Sequence, residues 1–340
     1  MRTGCVLHHK YFNGVADAVL AEKYKSLVLE HFQSFAMFGI GNVGLITSVV
    51  GDESKYNWNN VDKIVQFAND NNIDISYSSV ISGLINGYPD SFKKLSALDR
   101  YDALKKHVKI VISRYSGKVS SFKLVNEIIR LEDDNFLGTG RNKSEVVKDI
   151  FEWAVGEYSA GRYMLNEHIP FHNVDLFNKF TSFILRLLDK GARLDLIGIE
   201  GHFGYHPRSF CIDSHQDVTC QLSKLFEKFS LPICITEFDL SYRNHISEPY
   251  PGSEINPEKP FVCDGFKYSC WYEYQSFAYK NFIEVCKKLR LVDSVYFWQI
   301  VDDPTITWER PGCGIWDHFL EPKKYMRDVI EMLKKDNASV

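Results

Sequence analysis

The chain has 340 residues, of which 45% are hydrophobic and 25% are charged, so it can bury a large apolar core. Its 40 basic and 44 acidic residues give a formal net charge of −4, and the lack of a long basic run argues against nucleic acid or an anionic membrane as a partner. No segment has the roughly 18 to 20 consecutive apolar residues that a membrane span needs.

Short apolar runs alternate with longer amphipathic runs along the whole chain, a pattern typical of repeated βα units. Eight short runs are predicted strands: Gly4–His8, Ser34–Ile40, Ile73–Val80, Ser121–Val125, Tyr163–Asn166, Leu196–Ile199, Pro232–Thr236 and Ser294–Trp298. The longer runs have apolar residues three and four positions apart, as amphipathic helices do. The predicted helices include Asn60–Asn69, Ala103–Tyr115, Ser144–Tyr158, Leu176–Lys190, Val218–Phe229, Tyr272–Leu289 and Lys323–Lys335. We therefore predict an α/β fold, a (β/α)8 TIM barrel that forms a single domain over residues 1–340.

One connection in this pattern is unusually long. The stretch Ser247–Phe261 is rich in proline and glycine and follows the seventh predicted strand. It lies within a segment of about residues 241–270 that we predict to be one long βα loop. Such a loop would cover the barrel mouth, where barrels of this kind have their active sites.

Two glutamates lie where predicted strands end. Glu127 ends the run SFKLVNE at the fourth strand, and Glu237 ends the run PICITE at the seventh. Either glutamate alone has a plain alternative, as a solvated loop residue or a helix N-cap. Together they match retaining glycoside hydrolysis, which requires one protonated and one ionised carboxyl group facing each other. Asn126, directly before Glu127, is either a turn former or a hydrogen-bonding partner of a sugar 2-hydroxyl.

Several stretches around these residues resemble glycoside hydrolase family ten, the barrel xylanases. HVKIVISRYSGKVSSFKLVNE is similar to the family's helix, turn and strand that end in Asn-Glu. ITEFDL is similar to its T-E-L-D strand, NWNNVDKIVQFANDNNI to its second helix, and FWQIVDDPTITW to its strand-eight segment. The similarity runs from about Gly4 to Met332, which covers nearly the whole chain.

The resemblance implies a hydrolase of β-glycosidic bonds, most simply a retaining endo-1,4-β-xylanase that acts by double displacement in polysaccharide degradation. It implies that Glu127 is the acid/base, Glu237 the nucleophile and Asn126 the contact to the sugar 2-hydroxyl. This chemistry requires different surroundings for the two glutamates. We expect apolar surroundings or a negative neighbour to keep Glu127 protonated, and hydrogen bonds to keep Glu237 ionised.

The resemblance also implies substrate-binding roles for polar residues after the fifth and sixth strands. His202 aligns with a histidine that hydrogen-bonds the nucleophile, although a histidine at a barrel mouth can simply be a packing residue. Glu200 stands where the family has glutamine, and it either raises a neighbouring pKa by repulsion or faces solvent. Asn166 matches the asparagine of an N-D-Y motif in which Glu167 and His168 replace Asp and Tyr. The alternative for Asn166 is a turn residue.

Two tryptophans complete the predicted site. Trp298 and Trp308 match the family's tryptophans that wall the sugar site, where an aromatic face meets the C–H surface of a pyranose. The alternative is that these rings pack in the core.

The chain departs from the family pattern after the second and third strands. The family has T-x-E-N-x-x-K and H-x-x-x-W-H there, whereas this chain has FAMFGIGNVG and SSVISGLINGYPD. Asn42 is the one candidate for replacing a lost polar contact. Each lost sugar hydrogen bond should cost about 0.5 to 1.5 kcal/mol, so we expect weak binding of ordinary xylan and action on another β-linked glycan as an alternative.

Two competing hypotheses remain. One is a catalytically silent carbohydrate-binding barrel, against which the presence of both glutamates, Asn126 and His202 argues. The other is a barrel metal hydrolase, disfavoured because no H-x-H or similar ligand cluster appears at a strand end and the eight cysteines lack metal-binding spacing.

The sequence leads to further expectations about cofactors, partners and location. We predict no cofactor and no metal. We predict a β-linked glycan as substrate, a monomer, and neither nucleic acid nor a membrane as a partner. The first residues, MRTGCVLHHKYFNG, lack the apolar stretch of a signal peptide, which predicts a cytoplasmic location for the chain as it stands. Secretion or a periplasmic location is expected instead if a leader has been trimmed.

Overall fold

A computed structural model describes residues 1–37, 39–129, 134–169, 173–204, 215–243, 256–263, 266–303 and 310–338. Eight strands in these ranges form a parallel barrel: β1 (Arg2–Leu7), β2 (Ser34–Met37), β3 (Asp74–Ser82), β4 (Ser121–Asn126), β5 (Tyr163–Glu167), β6 (Leu196–Ile199), β7 (Ile233–Ser241) and β8 (Val292–Phe297). Each is followed by a long helix: α1 (Ala18–His31), α2 (Asn59–Asp70), α3 (Ala97–Tyr115), α4 (Lys143–Glu157), α5 (Val174–Asp189), α6 (His215–Phe229), α7 (Trp271–Leu289) and α8 (Arg327–Ala338). Among these described helices, none is long and apolar enough to cross a membrane.

Shorter elements lie in the connections. The short helices are Val43–Ile46 and Asp90–Lys93. The short strands are His202–Gly204, Phe261–Cys263, Phe266–Tyr268, Val301–Asp302 and Trp316–Asp317.

The sheet closes on itself. From β1 to β7 each strand pairs in parallel with the next strand in chain order, and β8 pairs with both β1 and β7. The register at closure places Arg2 opposite Ser294 and Val292 opposite Ile233. The predicted (β/α)8 barrel is therefore confirmed, and the carboxyl ends of all eight strands meet at one rim.

Side chains along each strand alternate between two apolar cores, because successive residues of a strand point to opposite faces. On β1, Cys5 and Leu7 belong to the large core between sheet and helices, whereas Val6 belongs to a second cluster. This second cluster takes one residue from each of six strands: Val6, Ala36, Met164, Leu196, Cys234 and Tyr296. A layer of this kind fills the interior of a barrel. Because side chains fill the barrel interior, a bound ligand has to lie at the rim and not inside the barrel.

β7 is longer than the sequence pattern predicted. The predicted strand ended at Thr236, but the strand continues to Ser241. Its last residues pair with the short strand His202–Gly204, with His202 opposite Asp239. A local pattern does not reveal this pairing, because 37 residues separate these two. Glu237 consequently lies within β7 and not at its end.

Smaller shifts occur at β1 and β8. Each begins two residues before its predicted start and ends one residue before its predicted end. In the connection from β7 to α7, two short strands, Phe261–Cys263 and Phe266–Tyr268, pair antiparallel. That the whole connection forms one loop over the mouth stays a prediction.

Candidate active site

Glu127 is the first residue after β4 and has a left-handed backbone conformation, with φ of 52°. Residues other than glycine seldom adopt this conformation, which here turns the chain sharply at the strand end. The backbone N–H of Glu127 donates to the Asn166 carbonyl at 3.1 Å, and Asn126 Nδ2 donates to Glu127 Oε2 at 3.3 Å. These contacts fix Glu127 at the rim beside Asn126.

A second carboxyl group, that of Glu167 on β5, holds the segment that follows Glu127. Glu167 Oε2 accepts the backbone N–H groups of Ile128 and Ile129 at 2.8 and 2.7 Å. Glu167 is 0% exposed. Burial raises the pKa of Glu167 to about 7, although these backbone donors act in the opposite direction. Glu167 thereby satisfies backbone donors next to Glu127 that would otherwise be costly to bury.

The surroundings of Glu127 favour its protonated form. Burial raises the pKa of Glu127 to about 8. The negative charges of Glu200 and Glu237 add to this rise. A carboxyl group with this pKa carries a proton at neutral pH and is able to donate it.

The surroundings of Glu237 favour its ionised form. Lys123 Nζ donates to Glu237 Oε1 at 2.5 Å, and His202 Nε2 lies 3.2 Å from Glu237 Oε2. Burial opposes the negative charge, but the positive charges and hydrogen bonds of Lys123 and His202 outweigh it and lower the pKa of Glu237 to about 2. At neutral pH the two glutamates therefore differ in protonation while interacting electrostatically with each other.

His202 is held between two carboxylates. Its Nδ1 lies 3.1 Å from Asp239 Oδ2, and Asp239 in turn accepts from Arg310 Nε at 3.0 Å. Asp239 and Arg310 are buried, with 1% and 3% of their surfaces exposed. Burial lowers the pKa of His202, but the charge and hydrogen bond of Asp239 outweigh this and raise it to about 10. Because an imidazolium donates from both nitrogens, His202 links the Asp239–Arg310 pair to Glu237.

We expect Arg310→Met to lower the free energy of unfolding by about 3 to 5 kcal/mol, because it removes the main charge partner of buried Asp239. Urea denaturation followed by far-UV circular dichroism measures this loss. Adding Asp239→Asn should restore part of it, since the amide carries no charge. The matched control is Arg162→Met, which removes a more exposed arginine 3.5 Å from Asp293 and should cost less than about 1 kcal/mol. Equal losses for both single variants would contradict the account.

Asn166 and Glu200 belong to one buried hydrogen-bonded group at the ends of β5 and β6. Asn166 Nδ2 donates to Asn126 Oδ1 at 2.6 Å and to Glu200 Oε1 at 3.1 Å. Thr236 Oγ1 donates to Asn166 Oδ1 at 2.8 Å. His168 Nδ1 lies 3.0 Å from Glu200 Oε2. Glu200 is 6% exposed and Asn166 0%, so neither of them is a solvent-facing residue.

Of the two predicted tryptophans, the structure describes one. Trp298 follows β8, is half-buried, and its ring centroid lies 5.6 Å from that of His202 in an edge-on arrangement at 80°. It also packs against the cluster in the barrel interior. Trp298 thus lies beside His202 at the rim. Trp308 lies outside the described residues.

The ends of β2 and β3 carry polar groups that bond within the protein. Asn42 Oδ1 accepts from the backbone N–H of Ser79 at 3.1 Å and from its hydroxyl at 2.6 Å. The Tyr88 hydroxyl donates to the Ser82 carbonyl at 2.9 Å. Asn42 is therefore engaged with Ser79, which does not favour its predicted use as a replacement sugar contact.

Five residues that the structure places in the site had no role predicted from the sequence: Lys123, Glu167, His168, Asp239 and Arg310. Two of them carried a recognisable signal. Lys123 is a charged residue inside an apolar strand, and Asp239 lies two positions after Glu237, on the same face of the strand. Arg310 carried no such signal, because it lies in a connection 71 residues from Asp239.

Comparison with known proteins places the chain in a family. The model described as "Glycosyl hydrolase family 10" matches residues 2–332. The chain is similar to "Endo-1,4-beta-xylanase C" of Paenibacillus barcinonensis, with 24% identity over 86% of this chain and 27% of that protein. It is also similar to "Beta-1,4-xylanase" of Dictyoglomus thermophilum, with 26% identity over 81% of this chain and 76% of that protein. The chain thus spans about a quarter of the first relative and about three quarters of the second.

A solved structure gives the same fold. Xylanase 10B from Thermotoga petrophila RKU-1, in complex with xylobiose, superposes with a TM-score of 0.77 over 99% of this chain and 95% of that chain, at 19% identity. This similarity shows the fold, and the family match shows the membership. The chain is a glycoside hydrolase that belongs to glycosyl hydrolase family 10.

Proposed function

We propose that the chain cleaves β-glycosidic bonds of a polysaccharide or oligosaccharide with retention of configuration, with Glu237 as nucleophile and Glu127 as acid/base. The observation that carries the proposal is the opposite pKa shift of these two glutamates, to about 2 for Glu237 within β7 and to about 8 for Glu127 directly after β4. When the surroundings of two carboxyl groups shift their pKa values in opposite directions, one group is ionised at neutral pH and the other is protonated.

In the first step, ionised Glu237 attacks the anomeric carbon while Glu127 gives its proton to the departing glycosidic oxygen. Lys123 and His202 keep Glu237 ionised, and they also orient its two oxygens. The product of this step is a covalent glycosyl-enzyme and a free alcohol end of the glycan.

In the second step, Glu127, now a carboxylate, takes a proton from water, which attacks the anomeric carbon and releases Glu237. Two inversions leave the original configuration. Asn126, next to Glu127 and held by Asn166, is in a position to hydrogen-bond the sugar 2-hydroxyl. None of these steps uses a cofactor.

The substrate is a carbohydrate, and β-1,4-xylan is the first polymer to test. Two relatives of the chain are named β-1,4-xylanases, and a structural neighbour was solved with xylobiose. The altered residues at the ends of β2 and β3 favour a shifted preference among β-linked glycans.

A panel of purified polysaccharides tests this proposal. Xylan, arabinoxylan, β-glucan, mannan and cellulose derivatives are incubated with the protein, and new reducing ends are measured. We expect new reducing ends from at least one β-linked polymer. The β-anomer of the product should appear first in proton NMR spectra. Failure on the whole panel would favour the catalytically silent binding barrel.

The pH dependence provides a separate prediction. Because the pKa of Glu127 is raised to about 8, the proton donor is present below this pH and is lost as the pH rises through it. We therefore expect kcat/KM for a substrate with a poor leaving group to fall above about pH 8. Glu127→Ala, assayed on an activated aryl glycoside, should lack this alkaline decline. Persistence of the decline in that variant would assign it to another group.

A further inference from the structure

Two histidines and a glutamate meet beside Glu237. One nitrogen or oxygen atom of each of His168, Glu200 and His202 lies within 4.8 Å of those of the other two. His168 Nδ1 is 3.0 Å from Glu200 Oε2, and His202 Nε2 is 3.9 Å from the same oxygen. The side chains are 4%, 5% and 9% exposed, so the protein holds the group in place before any ligand arrives.

We propose that this cluster binds a transition-metal dication such as Zn²⁺, and that the bound metal inhibits hydrolysis. Two imidazoles and one carboxylate form a ligand set of protein zinc sites that leaves a further coordination position open. Imidazole nitrogen favours zinc, copper and nickel, whereas magnesium and calcium prefer sites made of oxygen. The second part of the proposal rests on the proposed function, because it needs an activity to inhibit.

The ligand set arises at positions where the chain departs from its family pattern. Glu200 stands in place of glutamine, and His168 in place of tyrosine. These two replacements contact each other directly, at 3.0 Å. Zinc sites use cysteine, histidine and acidic side chains. With glutamine at position 200 and tyrosine at position 168, His202 would be the one residue of the three that commonly binds zinc. The two changes together thus create the set.

Inhibition follows from what His202 does for the nucleophile. His202 Nε2 lies 3.2 Å from Glu237 Oε2 and helps to keep it ionised. A metal on this nitrogen takes the place of its proton, so the hydrogen bond to Glu237 is lost. The metal also brings two positive charges close to the attacking carboxylate, which lowers its reactivity.

The other charges around the cluster allow a cation to enter. Lys123 and Arg310 are positive, but Lys123 forms an ion pair with Glu237 and Arg310 forms one with Asp239, so these carboxylates balance the two positive charges. Glu127 and Glu167 are further acidic groups, and both lie close enough to Glu200 for its negative charge to help raise their pKa values. The metal must still displace a proton from His202, which restricts the site to ions that bind nitrogen strongly.

Metal binding is measured first, without reference to activity. The full chain is stripped with a chelator and titrated with Zn²⁺ by calorimetry, and Co²⁺ is used to record the visible absorption of a low-coordinate site. We expect one Zn²⁺ per chain and no heat from Mg²⁺. His168→Gln keeps a hydrogen-bond donor but removes the metal ligand. It should weaken Zn²⁺ binding at least about tenfold, because the loss of a residue that merely hydrogen-bonds a metal ligand already lowers metal affinity about 10 to 100-fold. The control is His318→Gln, at an exposed histidine, which should bind as the unaltered chain does.

One further variant and one activity assay complete the test. Glu200→Gln should reduce Zn²⁺ binding as His168→Gln does, and circular dichroism shows whether each variant is folded. Inhibition of hydrolysis by the unaltered chain should increase with Zn²⁺ concentration in parallel with the measured binding of Zn²⁺. His168→Gln should raise the half-inhibiting concentration at least about tenfold. The site is overturned if the unaltered chain does not bind Zn²⁺, or if both ligand variants bind it as tightly as the unaltered chain does. Binding without inhibition overturns its effect on catalysis, whereas binding by a chain that hydrolyses nothing contradicts only the proposed function.

Discussion

Replacing Glu237 by glutamine should reduce kcat/KM on every substrate by at least about 10⁴-fold, because the amide cannot form the glycosyl-enzyme. Glutamine has nearly the same shape, and its side-chain oxygen can still accept from Lys123 or His202. The fold should therefore be retained. The loss should be equally large for activated aryl glycosides, since a good leaving group does not replace a nucleophile.

The matched control for this variant is Glu227→Gln. Glu227 lies on α6, the helix directly before β7, and is exposed. The same chemical change is made there away from the candidate active site, so the kinetics of Glu227→Gln should equal those of the unaltered chain. If Glu237→Gln retained more than about a hundredth of the activity in a preparation free of the unaltered protein, Glu237 would not be the nucleophile.

Replacing Glu127 by alanine should have an effect that depends on the leaving group. For natural glycans the loss should be about 10² to 10⁴-fold, the usual contribution of a general acid. For an aryl glycoside whose phenolate leaves without a proton, the first step should be nearly unaffected, and the slow second step should accumulate glycosyl-enzyme. A pre-steady-state burst of phenolate measures this difference.

Added azide provides the second readout for Glu127→Ala. A small anion can enter the space of the missing carboxylate and attack the glycosyl-enzyme without base assistance. We expect faster turnover and a β-glycosyl azide as product. An equal loss on all substrates, with no azide product, would mean that Glu127 has a structural role and that another group donates the proton.

The sequence predicted the elements that local patterns encode. All eight barrel strands occur at the predicted places, since buried strands read as short apolar runs. Glu127 was placed at a strand end because the run SFKLVNE changes from apolar to polar there. The motifs around the two glutamates also predicted the family, which the match over residues 2–332 confirms.

The features that the sequence did not reveal depend on contacts between distant segments. β7 extends to Ser241 because the short strand His202–Gly204 pairs with it, and no residue within β7 indicates this partner. Arg310 approaches Asp239 through the fold alone. The cluster of His168 with Glu200 was missed for the same reason, because these residues follow two different strands, β5 and β6, and no motif contains both.

The most direct measurement is covalent labelling of the nucleophile. Activated 2-deoxy-2-fluoro glycosides of xylobiose and cellobiose slow the second step more than the first, so the glycosyl-enzyme accumulates and peptide mass spectrometry locates it. The account predicts time-dependent inactivation with one sugar per chain, attached to Glu237 in the peptide that contains ITEFDL. A label on Glu200 or Glu127, or hydrolysis of these compounds without any label, would contradict it.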